Sequence, residues 1–126
     1  MAKWGQASGT DVGIEQELIR ALDDVAKEVK EGTEKAIKET AKETAEKLQD
    51  ISPKRSGDYA RSWVATKQKD GYIVRNKDHY QLTHLLELGH AKVNGGRVEG
   101  RAHIKTAETW GEVELMSRVR RMLDDI

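Results

Sequence analysis

The sequence predicts an α+β domain: a long N-terminal helix, a small antiparallel sheet built on a hairpin, a short helix and a C-terminal helix. Three observations predict it. Residues 11–50 carry apolar or small side chains at steps of three and four, the helical spacing. Residues 59–76 hold two short segments rich in aromatic and β-branched types around the turn signal Asp70-Gly71. Residues 106–124 then return to the helical period.

In chain order, residues 1–10 (MAKWGQASGT) read as a flexible N-terminal arm before a single domain over 11–126. Trp4 is either an incidental tail or core residue or an anchor that plugs a neighbour's groove, since large aromatics supply much of an interface's energy. The long helix follows, with Asp11 placed to cap its first free N–H groups. Its stripe runs Ile14, Leu18, Leu22, Val25, Val29, Thr33, Ala36, Thr40, Thr44, Leu48 and Ile51. Such a helix reaches roughly 55–60 Å, against a radius of gyration of about 14 Å for a compact chain of this length. After Gly32 the stripe weakens from large aliphatics to Ala and Thr. Either the helix breaks at Gly32, or its second half lies close against another helix.

Ser52-Pro53 ends the helix, because proline lacks the donor and biases its predecessor away from the helical region. Strands are expected at 59–66 and 71–76, a short helix at 79–88 stopped by Gly89, and a loop over 91–104 with one strand near Arg97–Val98 or Ala102–Ile104. The closing helix should put Ala107, Trp110, Val113, Met116 or Leu115, Val119 and Leu123 on one side, with Thr106 or Thr109 as its cap.

Composition narrows the function classes. The 126 residues carry 22 basic and 22 acidic groups, so no overall charge draws the chain to nucleic acid or membrane. The balance hides a gradient: eight basic and twelve acidic groups in residues 1–51, eleven and five in 52–107, three and five in 108–126. Acidic helices thus flank a basic centre, a pattern that suits self-association. Without cysteine there is no disulfide framework and no thiolate metal site. No apolar run approaches the ~20 residues of a membrane span, and no signal-peptide core follows Met1. A soluble, intracellular chain with no membrane partner is the expectation.

Distinctive function should lie in residues 79–107, HYQLTHLLELGHAKVNGGRVEGRAHIKTA, where histidines and flexible glycines concentrate. His84, Glu87 and His90 suggest a metal, but the zinc-protease pattern needs histidines four apart with Glu directly after the first. Here they are six apart, about 240° around a continuous helix. A zinc site gathered from His79, His84, His90 and His103 stays geometrically open; the plainer reading is interfacial and surface histidines. No serine sits in a nucleophile elbow, and Gly95-Gly96-Arg97 is too short to cradle phosphate. Catalytic residues and cofactors are therefore expected to be none. The basic hairpin region (Lys54, Arg55, Arg61, Lys67, Lys69, Arg75, Lys77) with Tyr59, Trp63 and Tyr72 could serve a non-specific nucleic-acid-binding module over 54–77. Aromatics on a hairpin more often face a core.

Two stretches together resemble a known family. One is Ser52-Pro53-x-x-Ser56-Gly57-x-Tyr59-Ala60-x-Ser62-Trp63; the other is His84-Leu85-x-Glu87-x-Gly89-His90-Ala91, then Gly95-Gly96-Arg97-Val98, then His103-Ile104-x-x-Ala107. The chain is similar, over roughly residues 10–124, to the gene-ten-like (Hong Kong 97-type) neck, tail-completion and head–tail joining proteins of tailed bacteriophages. The resemblance implies a non-enzymatic virion component at the head–tail junction, made in the host cytoplasm and assembled as a homo-oligomeric ring through which DNA passes. Its partners would be other neck, head-completion and tail-terminator proteins. Ala102 and Thr106 stand where many relatives place proline, which predicts a less rigid 98–106 loop.

A ring subunit must present two different surfaces to its neighbours. Interface residues are expected at Trp4, His84, Leu86, Glu87, Leu88, Gly89, His90, Arg97 and His103, with the distal half of the long helix beside them. Leu86 and Leu88 would be the anchors, and Glu87 a structural carboxylate or an ion-pair partner. Lys54, Arg55, Lys67 and Lys69 would face DNA in the lumen, in weak, sequence-blind contact.

Overall fold

The computed structural model describes residues 13–126. The expected architecture is present: a long helix, a hairpin, a short helix and a C-terminal helix. Trp4 and the proposed cap Asp11 lie outside the described residues.

Helix α1 (Ile14–Ile51) runs 38 residues without a break. It continues through Gly32 because that glycine lets the last helix close in: a Cβ there would sit 2.6 Å from Cγ of Met122. The lost helix propensity of about 1 kcal/mol is exchanged for this approach. Ala36, Thr40, Ala45 and Leu48 are the buried positions of α1. At Ser52 the backbone turns extended (φ −68°, ψ 152°), and the Ser52 amide still bonds to Leu48 O at 3.0 Å.

Gly57, at φ 87°, then opens a one-turn helix α2 (Asp58–Arg61) where the sequence predicts a strand. The Ser62 hydroxyl donates to Asp58 O at 2.6 Å and closes the turn. Helical spacing places Tyr59 and Trp63 on one inward face, as strand alternation also does; the periodicity of two side chains does not separate the cases. Strand β1 (Trp63–Gln68) pairs antiparallel with β2 (Gly71–Asn76), from Trp63↔Asn76 to Gln68↔Gly71. The connection is only Lys69-Asp70, so Lys67 and Gln68 belong to the strand rather than to the turn.

A turn of 3-10 helix (Tyr80–Leu82) leads into α3 (Thr83–Leu88). Beyond it β3 (Gly89–Ala91) and β4 (Arg97–Glu99) form a second hairpin, where the sequence predicts at most one strand. Helix α4 (Ile104–Asp124) closes the fold against α1.

The core gathers Leu48, Tyr59, Trp63 and Ala107, with Ile51, Val74, Leu86 and Ile104 packed around them. Its rings meet edge to face: Tyr59 and Trp63 at 5.8 Å and 77°, Tyr59 and His103 at 5.5 Å and 80°. Such pairs add about 0.5–1.5 kcal/mol beyond area burial. Trp63 satisfies its indole N–H on Ser52 Oγ at 2.9 Å, so the residue that ends α1 also fixes the first residue of the sheet.

The face that α4 turns inward matches the expected one only in part: Ala107 is buried and Trp110, Leu115 and Val119 are half-buried, but the rest is not covered. Ala107 and Gly111 are its buried residues, whereas Val113, Met116 and Leu123 are 65, 58 and 47% exposed. The reason is distance. Gly111 lies so near α1 that a Cβ would stand 2.9 Å from Thr44 Oγ1, and Thr44 bonds back to Thr40 O at 2.7 Å. Small residues set the closest approach, Leu115, Val119 and Met122 are half-buried, and Val113, Met116 and Leu123 face outward. Arg118 spans it, reaching Thr40 Oγ1 at 3.2 Å and the Glu43 carboxylate.

Replacing Gly111 with Val should overpack the seam and cost about 1–3 kcal/mol. Urea denaturation of the purified chain reads this directly, and an unchanged midpoint would mean that the helices do not approach as described.

Candidate functional site

Residues 84–104 form one construction, organised by the backbone of α3. Gly89 ends α3 at φ 81° and ψ 179°, and a side chain there would strike Gly100 N at 2.6 Å. Gly100 faces it in turn: its Cβ would lie 2.5 Å from the Leu88 carbonyl carbon. The two glycines therefore let main chain rest on main chain. Arg101 N bonds to Leu86 O at 2.8 Å, and the Arg97 guanidinium donates to Leu88 O. These contacts hold the β3–β4 arm to α3 at its base. Together with the hydrogen bonds that Glu87 accepts from residues 103–105, they tie down the 98–106 stretch, where the sequence predicts less rigidity.

Farther out, Lys92 N bonds to Gly96 O at 3.0 Å and closes the tip, with Gly95 and Gly96 at φ 90° and 81°. Every residue from 90 to 102 is exposed. The register His90↔Val98 and Ala91↔Arg97 spreads His90, Val98 and Arg97 along the arm. Leu88 (62% exposed) and His84 stand beside its base.

Glu87 has a different position. Its Oε1 accepts from the backbone N–H of His103 and of Ile104, both at 2.8 Å, and its Oε2 from Lys105 N at 3.1 Å. These are the free donors at the start of α4, which has no side-chain cap of its own. The carboxylate is thus an N-cap supplied from another helix, and its charge suits the positive end of the helix dipole. Neither Thr106 nor Thr109 takes that role, because α4 begins at Ile104, ahead of both. Burial alone would raise the Glu87 pKa; the three backbone donors and the neighbouring His103 outweigh it and hold the carboxyl below its ordinary 4.5.

His103 is fully buried and so is no surface contact, contrary to expectation. Its Nδ1 lies 2.7 Å from Arg101 O and 3.0 Å from Glu87 Oε1. Its Nε2 lies 2.6 Å from the Tyr59 hydroxyl. With Nδ1 carrying the proton, the Tyr59 O–H donates to Nε2 and both ring nitrogens are satisfied. Burial first, and the charge of Glu87 second, push the Tyr59 phenol up to about 12, so the hydroxyl remains a donor. This Glu–His–Tyr chain has the connectivity of a proton relay. It is closed over by the Trp63 and Ala107 core, and none of the described cavities is lined by it.

Leu86 is half-buried against the core rather than free to anchor a partner, because α3 turns it inward beside Ile104. The distal half of α1 is likewise occupied within the subunit, by α4 and the first hairpin. The residues expected to face DNA fall into two groups. Lys54 and Arg55 are exposed beside the C-terminal end of α1. Lys67 and Lys69 line a cleft of about 860 Å³ with Lys30, Lys35 and Lys38, toward the middle of α1. Among the described residues no group of three or more His, Cys, Asp or Glu side chains could hold a metal. No described helix is long and apolar enough to cross a membrane.

The HK97-gp10_like family model, described as "Bacteriophage HK97-gp10, putative tail-component", matches residues 16–89. The match takes in α1, the first hairpin and α3, and ends at the glycine on which the arm turns. No curated protein and no solved structure matches the chain.

Glu87→Ala should cost about 2 kcal/mol, since it leaves a helix start uncapped and partly buried donors unpaired. In the parent chain this contribution is complete above pH 4.5 and is lost as pH falls through the depressed folded value. An acid-unfolding curve should therefore show a component that Glu87→Ala removes. At the other end, Tyr59 keeps its stabilising effect below pH 10 and loses it as pH rises toward about 12, a component that Tyr59→Phe should abolish.

Proposed function

Since this chain belongs to the HK97-gp10-like family of phage tail components, we propose that it is a structural protein of the head–tail junction, working as a ring of identical subunits. The ring would join the portal side of the head to the tail and leave a passage for DNA. Its neighbours would be neck, head-completion and tail-terminator proteins. It would act by fit, with no bond-making chemistry of its own.

The observation that carries this reading is the β3–β4 arm. A loop meant for a mobile binding surface would not be clamped at its base by two facing glycines and the Arg101–Leu86 hydrogen bond. A rigid projection with His90, Val93, Arg97 and Val98 exposed suits insertion against an adjoining protein. It also carries Lys92, Arg97 and Arg101 against the single carboxylate Glu99. Helix α1 carries eleven acidic against seven basic groups, so arm and long helix are complementary in charge. The cleft beside the first hairpin tip sets five lysines against Glu31, Glu34 and Asp70, and that net positive lining would suit passing DNA through weak phosphate contact alone.

Reversing Lys92 and Arg101 to Glu in the phage should leave filled heads that fail to join tails, visible by electron microscopy, with infectivity reduced at least a hundredfold. Normal titres from that variant would remove the arm from the interface. A map of the intact particle with this chain traced outside the junction would remove the proposal itself.

A further inference from the structure

The first four turns of α1 have no partner within the described subunit. Ile14, Leu18, Leu22 and Val25 are 52, 57, 59 and 45% exposed, and Ile19 is 50% exposed. They continue the same face that α4 covers from Gly32 onward, since 18, 22, 25, 29, 36 and 40 all fall within about 60° on a helical projection. α4 stops short of them: its Met122 packs at Gly32. What remains is an overhang with an apolar stripe about 16 Å long from Ile14 to Val25.

Charge is arranged around that stripe unevenly. Glu17, Asp24 and Glu28 recur at steps of seven and four and lie in one row, about 100° from its mid-line. The opposite flank holds Ile19 and Ala26, with the single carboxylate Glu15 at its N-terminal end. A surface that fits this overhang is an apolar strip of similar length with cations along it.

The subunit displays one on the far side of α4. Val113, Met116 and Leu123 are exposed over about 15 Å of helix. Val113 and Met116 line a shallow hollow of about 460 Å³ together with Glu112, Ser117, Arg120 and Arg121, so its lining sets two guanidinium groups against one carboxylate. Arg120 makes no ion pair among the described residues, and Arg121 reaches only Glu114, at 3.9 Å. Val113, Met116 and Arg120 point away from α1, so a chain cannot lay its own overhang across them; Arg121 sits at the edge of this face and also lines a cleft with Glu28 of its own chain.

We propose that the α1 overhang of one subunit docks on the outer face of α4 of the next copy, with Leu18 and Leu22 over the Val113–Met116 hollow and the Glu17–Asp24–Glu28 row beside Arg120 and Arg121. The contact joins two different surfaces, so it propagates head to tail and closes into a ring when the rotation allows. Pairing two overhangs antiparallel would instead set acidic row against acidic row. The ring closure, though not the contact, rests on the function proposed above.

The absence of cysteine from the chain makes the test clean. A Leu22→Cys/Met116→Cys double variant, oxidised at high concentration, should give a ladder of covalent oligomers on a non-reducing gel. Each single variant should remain uncrosslinked, and mixing the two singles should yield a dimer. Replacing Glu17, Asp24 and Glu28 with Lys should abolish the ladder, and adding Arg120→Glu with Arg121→Glu should restore it. Dimers from Leu22→Cys alone would mean that overhangs pair with each other, and would overturn the proposal. Oligomers seen by light scattering without a disulfide between positions 22 and 116 of the double variant would overturn this surface while leaving a ring intact. A chain that stays monomeric at every concentration would overturn the contact; particles with the chain traced outside the junction would separately overturn the ring reading.

Discussion

The carboxylate of Glu87 joins the two halves of this molecule. A helix start exposes donors that must find acceptors, and α4 is given them by a side chain from α3, sixteen to eighteen residues earlier. Two residues farther on, Gly89 begins the arm; one residue back, Leu86 packs against the core. Moving that carboxylate would therefore disturb the seat of α4, the base of the arm and the ring of His103 together. His103 adds the inward link, passing from Glu87 and Arg101 O to Tyr59, and through the aromatic edges to Trp63. Buried polar groups of this kind are costly unless each is satisfied. Among the described residues no buried side-chain donor or acceptor lacks a partner.

The other organising contact is the seam between α1 and α4, made of what is missing. Gly32, Gly111 and the Ala/Thr face of α1 remove the side chains that would hold two helices apart. Close approach leaves little aliphatic surface inside, so beyond Leu48, Ile51 and Ile104 the core is small and aromatic at one end, and Ile14 to Val25 of α1 and Val113, Met116 and Leu123 of α4 are left on the surface. Among the described residues, exposed apolar stripes on both helices are surfaces of the kind that mark contact sites. That agrees with a family whose members are components of a larger particle.

Much of this is legible from spacing. The long helix, the Asp70-Gly71 turn, the glycine stop at 89 and the last helix all follow from local rules, and each depends on residues within one or two turns of each other. The misses share a cause as well. Tyr59 and Trp63 face inward in a helical turn as they would in a strand, so residues 58–61 cannot be assigned from pattern. A periodic stripe says which face is apolar but not where its cover ends, so the uncovered run Ile14 to Val25 looks no different from the covered one, and Val113 and Met116 pass for the inner side of α4. Glu87 reads as a structural carboxylate or ion-pair partner, but the donors it accepts from lie across a hairpin. One hint is available: a helix beginning His-Ile-Lys lacks the usual Ser, Thr, Asp or Asn at its cap, and the strip before it holds Glu87. His103 looks like surface because histidine usually is; only the meeting of three elements makes a buried pocket for it.

The unbroken run of α1 has a mechanical meaning. A continuous helix acts as a shaft, fixing the azimuth of its free end against the body of the domain at about 100° per residue. Inserting a single residue between Val25 and Gly32 would lengthen it by only about 1.5 Å yet swing the uncovered leucines a quarter-turn or more out of plane. Length there is cheap to vary; phase is not, and homologous segments should differ by whole turns.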